Sequence, residues 1–259
     1  MIRGIYTAVS GLITQEARQD VISNNLANAN TVAYKKENLI AKKFDDVMIQ
    51  NYDKVVNGKN VKNVIGSLSM GSKIDETYAV YDEGVIETTG KDTDFAIQGQ
   101  GFFSVIRDNG INENTYYTRD GHFHINGMGY LVNDTGDRVL GKNSQTGVLE
   151  PIYVGNGKVK CDENGNMFIN NRPSYKLYTT DFDDYNSLKK VEDNLYTGEN
   201  PTEINNNKLH QGCLEKSNVD VMREMVDMMM TIRTFESNQK VVQTLDETLG
   251  KAVNEVGRV

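Results

Sequence analysis

Apolar residues recur at three- and four-residue steps near both ends of the chain and at two-residue steps between them. Over residues 1–30, Ile2, Ile5, Val9 and Leu12 space as one face of a helix, and Ala17, Val21 and Leu26 continue the stripe. No proline interrupts it. The block Asn28-Ala29-Asn30-Thr31 offers a stop, because Asn tolerates the left-handed conformation a helix C-terminus wants. Residues 219–256 carry the longer helical signal. There Val221, Met225, Met228, Ile232, Phe235, Val242, Leu249, Val253 and Val256 follow alternating four- and three-residue steps, broken at Gln239 and Asp246. That is the spacing of a coiled-coil seam. Met222, Val226, Met229, Val241 and Leu245 widen the stripe, and the methionines suit packing against several non-identical neighbours. Ser217 and Asn218 stand where N-caps belong, and Asp220 falls in a first turn that the helix dipole favours.

Between about 65 and 210 the period is two. Phe102-Phe103-Ser104-Val105-Ile106 reads as a buried strand. Two stretches read as hairpins: 122–132 turning at Asn126-Gly127, and 158–169 turning at Asn164-Gly165. Further Asn-Gly pairs at 57, 109 and 156, and Asp120-Gly121, mark other turns that need positive φ angles. The 29 asparagines therefore serve turns more than chemistry. Residues 36–64 are Lys- and Asn-rich without a clean period and read as a connector, as does Asn205-Asn206-Asn207. The fold class expected is α+β, with long N- and C-terminal helices pairing as a coiled-coil-like unit around a central antiparallel β domain. The divisions expected are 1–35, 36–64, 65–210 and 211–259. Neither helix can bury its stripe alone, so the termini are expected to be ordered by assembly.

Composition narrows the function. Of 259 residues, 38% are hydrophobic and 25% charged, with net charge −8, which argues against a duplex nucleic-acid binder. No stretch reaches the length of a membrane span, and Met1-Ile2-Arg3-Gly4-Ile5 begins no cleavable secretory signal. Cys161 and Cys213 are expected to be unlinked. Gly99-Gln100-Gly101 lacks the third glycine and following helix of a phosphate cradle and reads as a tight turn into the 102–106 strand. His122 and His124 share a strand face but lack the further ligands of a metal shell. The run 162–166 departs from a calcium loop, with Met167 at the sixth position and Pro173 at the twelfth. Asp181, Asp183 and Asp184 read as a solvated loop, and no catalytic, cofactor-binding or metal-binding residue is assigned.

Separate motifs resemble one family. Ser10-Gly11-Leu12, then the run from Asp20 through Asn24, Asn25, Asn28 and Thr31 to Tyr34-Lys35, resembles the N-terminal signature of the bacterial flagellar basal-body rod and hook proteins. Gly212, Leu214-Glu215, Ser217-Asn218-Val219-Asp220, Glu224-Met225 and Phe235-Glu236 are similar to the same family's C-terminal motif. Asp94 to Phe103, containing Gly99, Gly101, Phe102 and Phe103, and Tyr117 to Phe123, containing Arg119, Asp120 and Gly121, resemble its β-domain motifs. One departure is Val32-Ala33-Tyr34, where the family usually has Gly before the aromatic.

The resemblance implies a non-enzymatic subunit of a hollow drive shaft in the cell envelope, exported by the flagellar type III apparatus. Its partners would be other copies, other rod and hook subunits, the export apparatus, and rod cap or ring proteins. Length and one β domain point to a rod rather than a hook member, at a distal position first and a proximal one second. The assembly seam implied is Ile5, Val9, Leu12, Val21, Leu26, Val221, Met225, Met228, Ile232, Phe235, Val242 and Leu249. A secreted β-domain hydrolase using an acidic pair, or a β-rich binding module, is the alternative of another class.

Overall fold

A computed structural model describes residues 2–56, 59–108, 113–204 and 207–256. The turns expected at Asn57-Gly58 and Asn109-Gly110, and Asn205-Asn206, lie outside the described residues. Helix α1 spans Ile2–Ala27 and helix α2 spans Val221–Lys251, with a short π-helical segment, Ala252–Val256, after it. At 1.5 Å per residue the 31 residues of α2 extend about 47 Å. The chain divides into two compact units: Met1–Leu26, Glu37–Ala79 and Val221–Val259 in one, and Ala27–Lys36 with Val80–Asp220 in the other.

In the first unit, the stretch expected as a connector carries strands. Strands β1 (Glu37–Lys43) and β4 (Ser72–Ala79) pair antiparallel, and β2 (Val47–Val56) and β3 (Lys59–Leu68) pair antiparallel. Among the described side chains these ribbons bury little on either face: Val47, Met48, Val64 and Ile65 are exposed, and β4 is exposed over most of its length. A strand with no buried face leaves no two-residue alternation, which is why its sequence reads as aperiodic. Helix α1 meets the 71–72 turn closely. Ser72 N–H donates to Ser10 Oγ at 3.3 Å, and the Thr14 and Ser72 hydroxyls lie 3.0 Å apart. A Cβ on Gly71 would stand 2.0 Å from Ser10 Oγ, so the turn is open only to glycine.

The inward stripe of α2 runs Val221, Glu224, Met228, Thr231, Phe235, Asn238, Val242, Leu245 and Leu249. Five of the expected seam residues lie on it. Met225 and Ile232 do not: they are 46% and 38% exposed, while Glu224 and Thr231, one residue earlier, are buried. The reason is a choice between neighbours. Apolar residues crowd this helix, and hydrophobicity alone favours Met225 and Ile232 over Glu224 and Thr231. Of the seam residues expected on α1, Ile5, Val9, Leu12, Val21 and Leu26 are half-buried.

The second unit holds the antiparallel β core. Strands β5 (Ile86–Thr88) and β6 (Phe95–Gln98) pair with Cys213–Glu215 and Lys208–Gln211. Strand β7 (Phe102–Asp108) is central, flanked by β8 (Glu113–Thr118), Arg138–Asn143 and Thr179–Asp181. Successive residues of β7 point to opposite faces, and both faces are covered. Phe103 and Val105 enter the main cluster with Phe95, Phe123 and Leu131, whereas Phe102 enters a second one with Tyr117, Phe182 and Tyr196. A strand buried on both faces reads as a continuous apolar run, as 102–106 does. The two expected hairpins form, with Leu131 opposite Ile125 and Cys161 opposite Met167. Gly129 and Gly165 supply the positive φ angles of 88° and 82°.

Gly121 differs from the turn glycine expected of it. It stands against the backbone of β6, and a Cβ there would lie 1.7 Å from the Phe95 carbonyl oxygen. Gly121→Ala is therefore expected to lower unfolding free energy by about 2–4 kcal/mol in urea titrations. Gly127→Ala, where a Cβ meets nothing within 4 Å, is expected to change it by less than about 0.5 kcal/mol.

Candidate functional site

Three charged side chains far apart in sequence meet inside the β unit. Lys35 follows the buried Tyr34, Arg119 follows β8, and Glu215 ends the strand paired with β5. They are 1%, 3% and 2% exposed. Lys35 Nζ donates to Glu215 Oε1 at 2.6 Å and to the Asp82 carbonyl at 2.7 Å. Glu215 Oε1 also accepts from Gly84 N–H at 2.9 Å, and Oε2 accepts from Arg119 Nη1 at 3.3 Å. Arg119 Nη2 donates to the Gly99 carbonyl at 2.8 Å, and the guanidinium lies 5.5 Å from the Phe102 ring centroid. Two cations thus share one carboxylate away from water. Burial holds the Lys35 pKa below its ordinary value, and Glu215 pulls the other way.

Backbone bonds tie the same place together. Ala33 N–H donates to the Glu215 carbonyl at 2.8 Å, and Lys36 N–H donates to Asn218 Oδ1 at 2.7 Å. Asn218 Nδ2 donates in turn to the Val80 carbonyl at 2.8 Å, and Asn194 Nδ2 to the Val32 carbonyl at 3.0 Å. The segment that leaves α1 and the segment that enters α2 are therefore fastened to one another and to residues 80–84. Asn218 is thereby occupied and is not an N-cap of α2, which begins at Val221. Ser217 Oγ accepts from Val219 N–H at 3.2 Å, also ahead of the helix. The left-handed residue expected among Asn28–Asn30 is instead Ala33, at φ 56°. That is the position where the resembling family usually has Gly.

The remaining motif residues separate into groups. Gly99 and Gly101 take φ of 105° and 120° on the turn into β7, and the Gly99 carbonyl is held by Arg119. Asn24 is exposed, Asn28 Oδ1 accepts from Thr31 Oγ1, and Asn25 lies in the other unit with the helices. There Gly4 and Gly11 of α1 lie against Leu245 and Asn238 of α2, at 3.8 and 3.2 Å from where a Cβ would stand. Asn25 Nδ2 donates to Glu224 Oε2 at 3.3 Å. Sequence reasoning passed over Lys35, Glu215 and Glu224 as site residues. The available signal was a charged residue beside an apolar one inside a motif: Tyr34-Lys35, Leu214-Glu215 and Glu224-Met225.

Asp120 lines a polar cavity of about 430 Å³ with Tyr34, Asn133, Asp134 and Lys190. Its Oδ1 accepts from His122 N–H at 2.9 Å, and burial pushes its carboxyl up to about 6. His122 Nδ1 sits 3.0 Å from Asp134 Oδ1 and His124 Nδ1 3.9 Å from the same oxygen. Among the described residues, no group of three or more His, Cys, Asp or Glu could hold a metal ion. The two cysteines are not bonded to each other. No described helix is long and apolar enough to cross a membrane.

Glu215→Ala leaves two buried cations without their counter-charge and is expected to cost about 3–5 kcal/mol in urea unfolding at neutral pH. Glu215→Gln keeps acceptors for Gly84 and Lys35 and is expected to cost less. The Asp120 shift has the opposite bearing on pH from a paired carboxylate. Between about 4 and 6 the folded state retains a proton that the unfolded chain has lost, so stability is fully present below that window and falls as pH rises through it. Asp120→Asn is expected to flatten that part of the stability–pH curve, measured by chemical unfolding from pH 4 to 7.

Three family descriptions match the chain in order: "Flagella basal body rod protein" over residues 5–35, "Flagellar hook protein FlgE/F/G D1 domain" over 96–169, and "Flagellar basal body rod FlgEFG protein C-terminal" over 210–255. The chain is 32% identical over 273 residues to the flagellar basal-body rod protein FlgG of Borreliella burgdorferi, covering 98% of each. It is 29% identical over 280 residues to the flagellar hook-basal body complex protein FlhO of Bacillus subtilis, and 30% over 263 residues to the flagellar basal-body rod protein FlgF of Caulobacter vibrioides, covering all of both chains in each case. Lys35 lies in the first matched segment, Arg119 in the second and Glu215 in the third, so the buried ionic junction draws one residue from each. The chain belongs to the flagellar basal-body rod protein family.

Proposed function

We propose that this chain is a structural subunit of the flagellar rod, and that it polymerises with copies of itself and with other rod and hook subunits into a hollow shaft carrying torque to the hook. One observation carries the self-assembly reading. Met222, Met225, Val226, Met229, Met230 and Ile232 are all exposed on α2 of the single chain. Apolar side chains gathered along one helix mark a surface that another protein covers. Chemistry of reaction is not required of such a subunit, and its residues act by packing.

In this reading the terminal segments, 1–35 and 211–259, form the tube wall and residues 65–210 the outer layer. Helices α1 and α2 pair as a coiled-coil-like unit within a subunit, and the Met225–Ile232 face of α2 meets the neighbouring subunit. Residues Ile5, Val9, Leu12, Val21 and Leu26 line the same seam from α1. A distal position is favoured by length and by the single β domain. A proximal position is the second reading. Export through the flagellar type III apparatus follows from the same reading, as do contacts with rod cap or ring proteins.

Met225→Asp with Ile232→Asp tests the outer face. Both residues are exposed in the single chain, so the isolated protein is expected to keep its unfolding midpoint, with a change below about 0.5 kcal/mol. Motility of a strain that depends on the variant is expected to be lost, with no rods in electron micrographs of basal bodies. Retained motility would refute the assignment of this face to assembly. In limited proteolysis, residues 1–30 and 219–256 are expected to be cut more quickly in the free protein than in polymer.

A further inference from the structure

The polar residues in the inward stripe of α2 call for an account, because an apolar residue would pack there at lower desolvation cost. Glu224 is 1% exposed and Asn25, in the last turns of α1, is also 1% exposed. Asn25 uses its carboxamide in three directions. Oδ1 accepts from Glu37 N–H at 2.9 Å, and Nδ2 donates to the Glu37 carbonyl at 2.9 Å and to Glu224 Oε2 at 3.3 Å. The side chain therefore brackets the first residue of β1 as a neighbouring strand would, and reaches the first turn of α2 at the same time. A carboxylate is tolerated there because the N-terminal end of α2 presents positive potential.

The contacts between the helices repeat at heptad intervals. Passing from Gly4 to Gly11 to Asn25 on α1, the partners on α2 are Leu245, Asn238 and Glu224. Steps of seven and fourteen residues up one helix match equal steps down the other, so the two run antiparallel in one register. The apolar part of that pattern does not define the register by itself. The α2 stripe carries Val221, Met228, Phe235, Val242 and Leu249 at heptad intervals, and α1 offers Gly at both Gly4 and Gly11. Sliding one helix by seven residues sets Gly11 against Leu245 in place of Gly4 and leaves the apolar heptad repeat of α2 in phase. The same slide brings Asn25 opposite Thr231, whose hydroxyl already donates to the Asp227 carbonyl at 2.8 Å, and takes Asn25 away from the buried Glu224 carboxylate.

We propose that Asn25 and Glu224 form a register latch, positioning residues that admit one axial alignment of α1 against α2 and anchor the start of β1 to it. The proposal rests on the reading of the two helices as a coiled-coil-like pair. A single buried polar contact that selects register at some cost in stability is an established device in helix pairs. Here it would ensure that every subunit presents its outer faces at the same height.

Cysteine cross-linking in the full-length chain tests this, with the products assigned by mass spectrometry. The native register is read by Gly11→Cys with Asn238→Cys, and a one-heptad slip by Gly11→Cys with Leu245→Cys. With Asn25 and Glu224 intact, only the native pair is expected to close. In the Asn25→Leu, Glu224→Leu background the ratio of slipped to native product is expected to rise by at least about tenfold. Glu224→Gln, which keeps an acceptor, is expected to retain the native register alone. If the doubly apolar chain loses its helical circular dichroism, Glu224→Met with Asn25 retained takes its place under the same expectation. A native-only product in the apolar backgrounds overturns the latch while leaving the helix pairing intact. Failure of the native pair to close with Asn25 and Glu224 present overturns the pairing itself.

Discussion

Glu215 neutralises two buried cations, Lys35 and Arg119, and the joining of residues 33–36 to residues 215–218 inside the β unit depends on that balance. A buried charge is costly unless it is paired and hydrogen-bonded, so the carboxylate cannot leave without stranding both partners. Each partner belongs to a different stretch of chain. Lys35 brings the exit from α1, Arg119 brings the end of β8 together with the Gly99 turn, and Glu215 brings the approach to α2. The left-handed backbone of Ala33 persists in this setting. Such a conformation costs an alanine about 1–2 kcal/mol, and the bond from Ala33 N–H to the Glu215 carbonyl helps to hold it. The surroundings enforce a shape that glycine would take freely.

The β unit supplies the rigid frame for that junction. Its central strand contributes Phe102 to one aromatic cluster and Phe103 to another, so a shift of one residue would exchange two cores at once. Gly121, set against the backbone of Phe95, and Gly84, where a Cβ would meet the Lys216 carbonyl at 1.8 Å, allow chain segments to approach as closely as backbone permits. Close approach and charge pairing together leave the junction little freedom. This suits a subunit whose role is to transmit force and not to change shape.

The helical unit is built on the contrary principle. Its inward stripe mixes Phe235, Val242 and Leu249 with Glu224, Thr231 and Asn238, while several methionines of α2 face outward. The ribbons of β1–β4 follow suit, since two-stranded ribbons with exposed apolar side chains are only marginally stable in water without a covering surface. On the proposed reading, polar contacts inside serve alignment and apolar surface outside serves association.

The helices, the buried strand at 102–106 and the two Asn-Gly hairpins were legible in the sequence, because each buries a regular subset of positions and so prints a period on the chain. The family signature was legible too, through Asn25, Arg119, Asp120 and Asn218. Strands β1–β4 were not, because their described side chains bury little and impose no period. The phase of the α2 stripe was not, because burial of Glu224 follows from a partner, Asn25, 199 positions earlier, and no local pattern records it. By itself, then, the sequence determined the two terminal helices, the strand at 102–106, the two hairpins and the apolar stripes along the helices. Only the tertiary structure decided that Lys35, Arg119 and Glu215 share one buried site, and which neighbour of each apolar residue turns inward. Periodicity is a property of one element, whereas the cost of burying a charge is settled by whichever distant residue arrives to meet it.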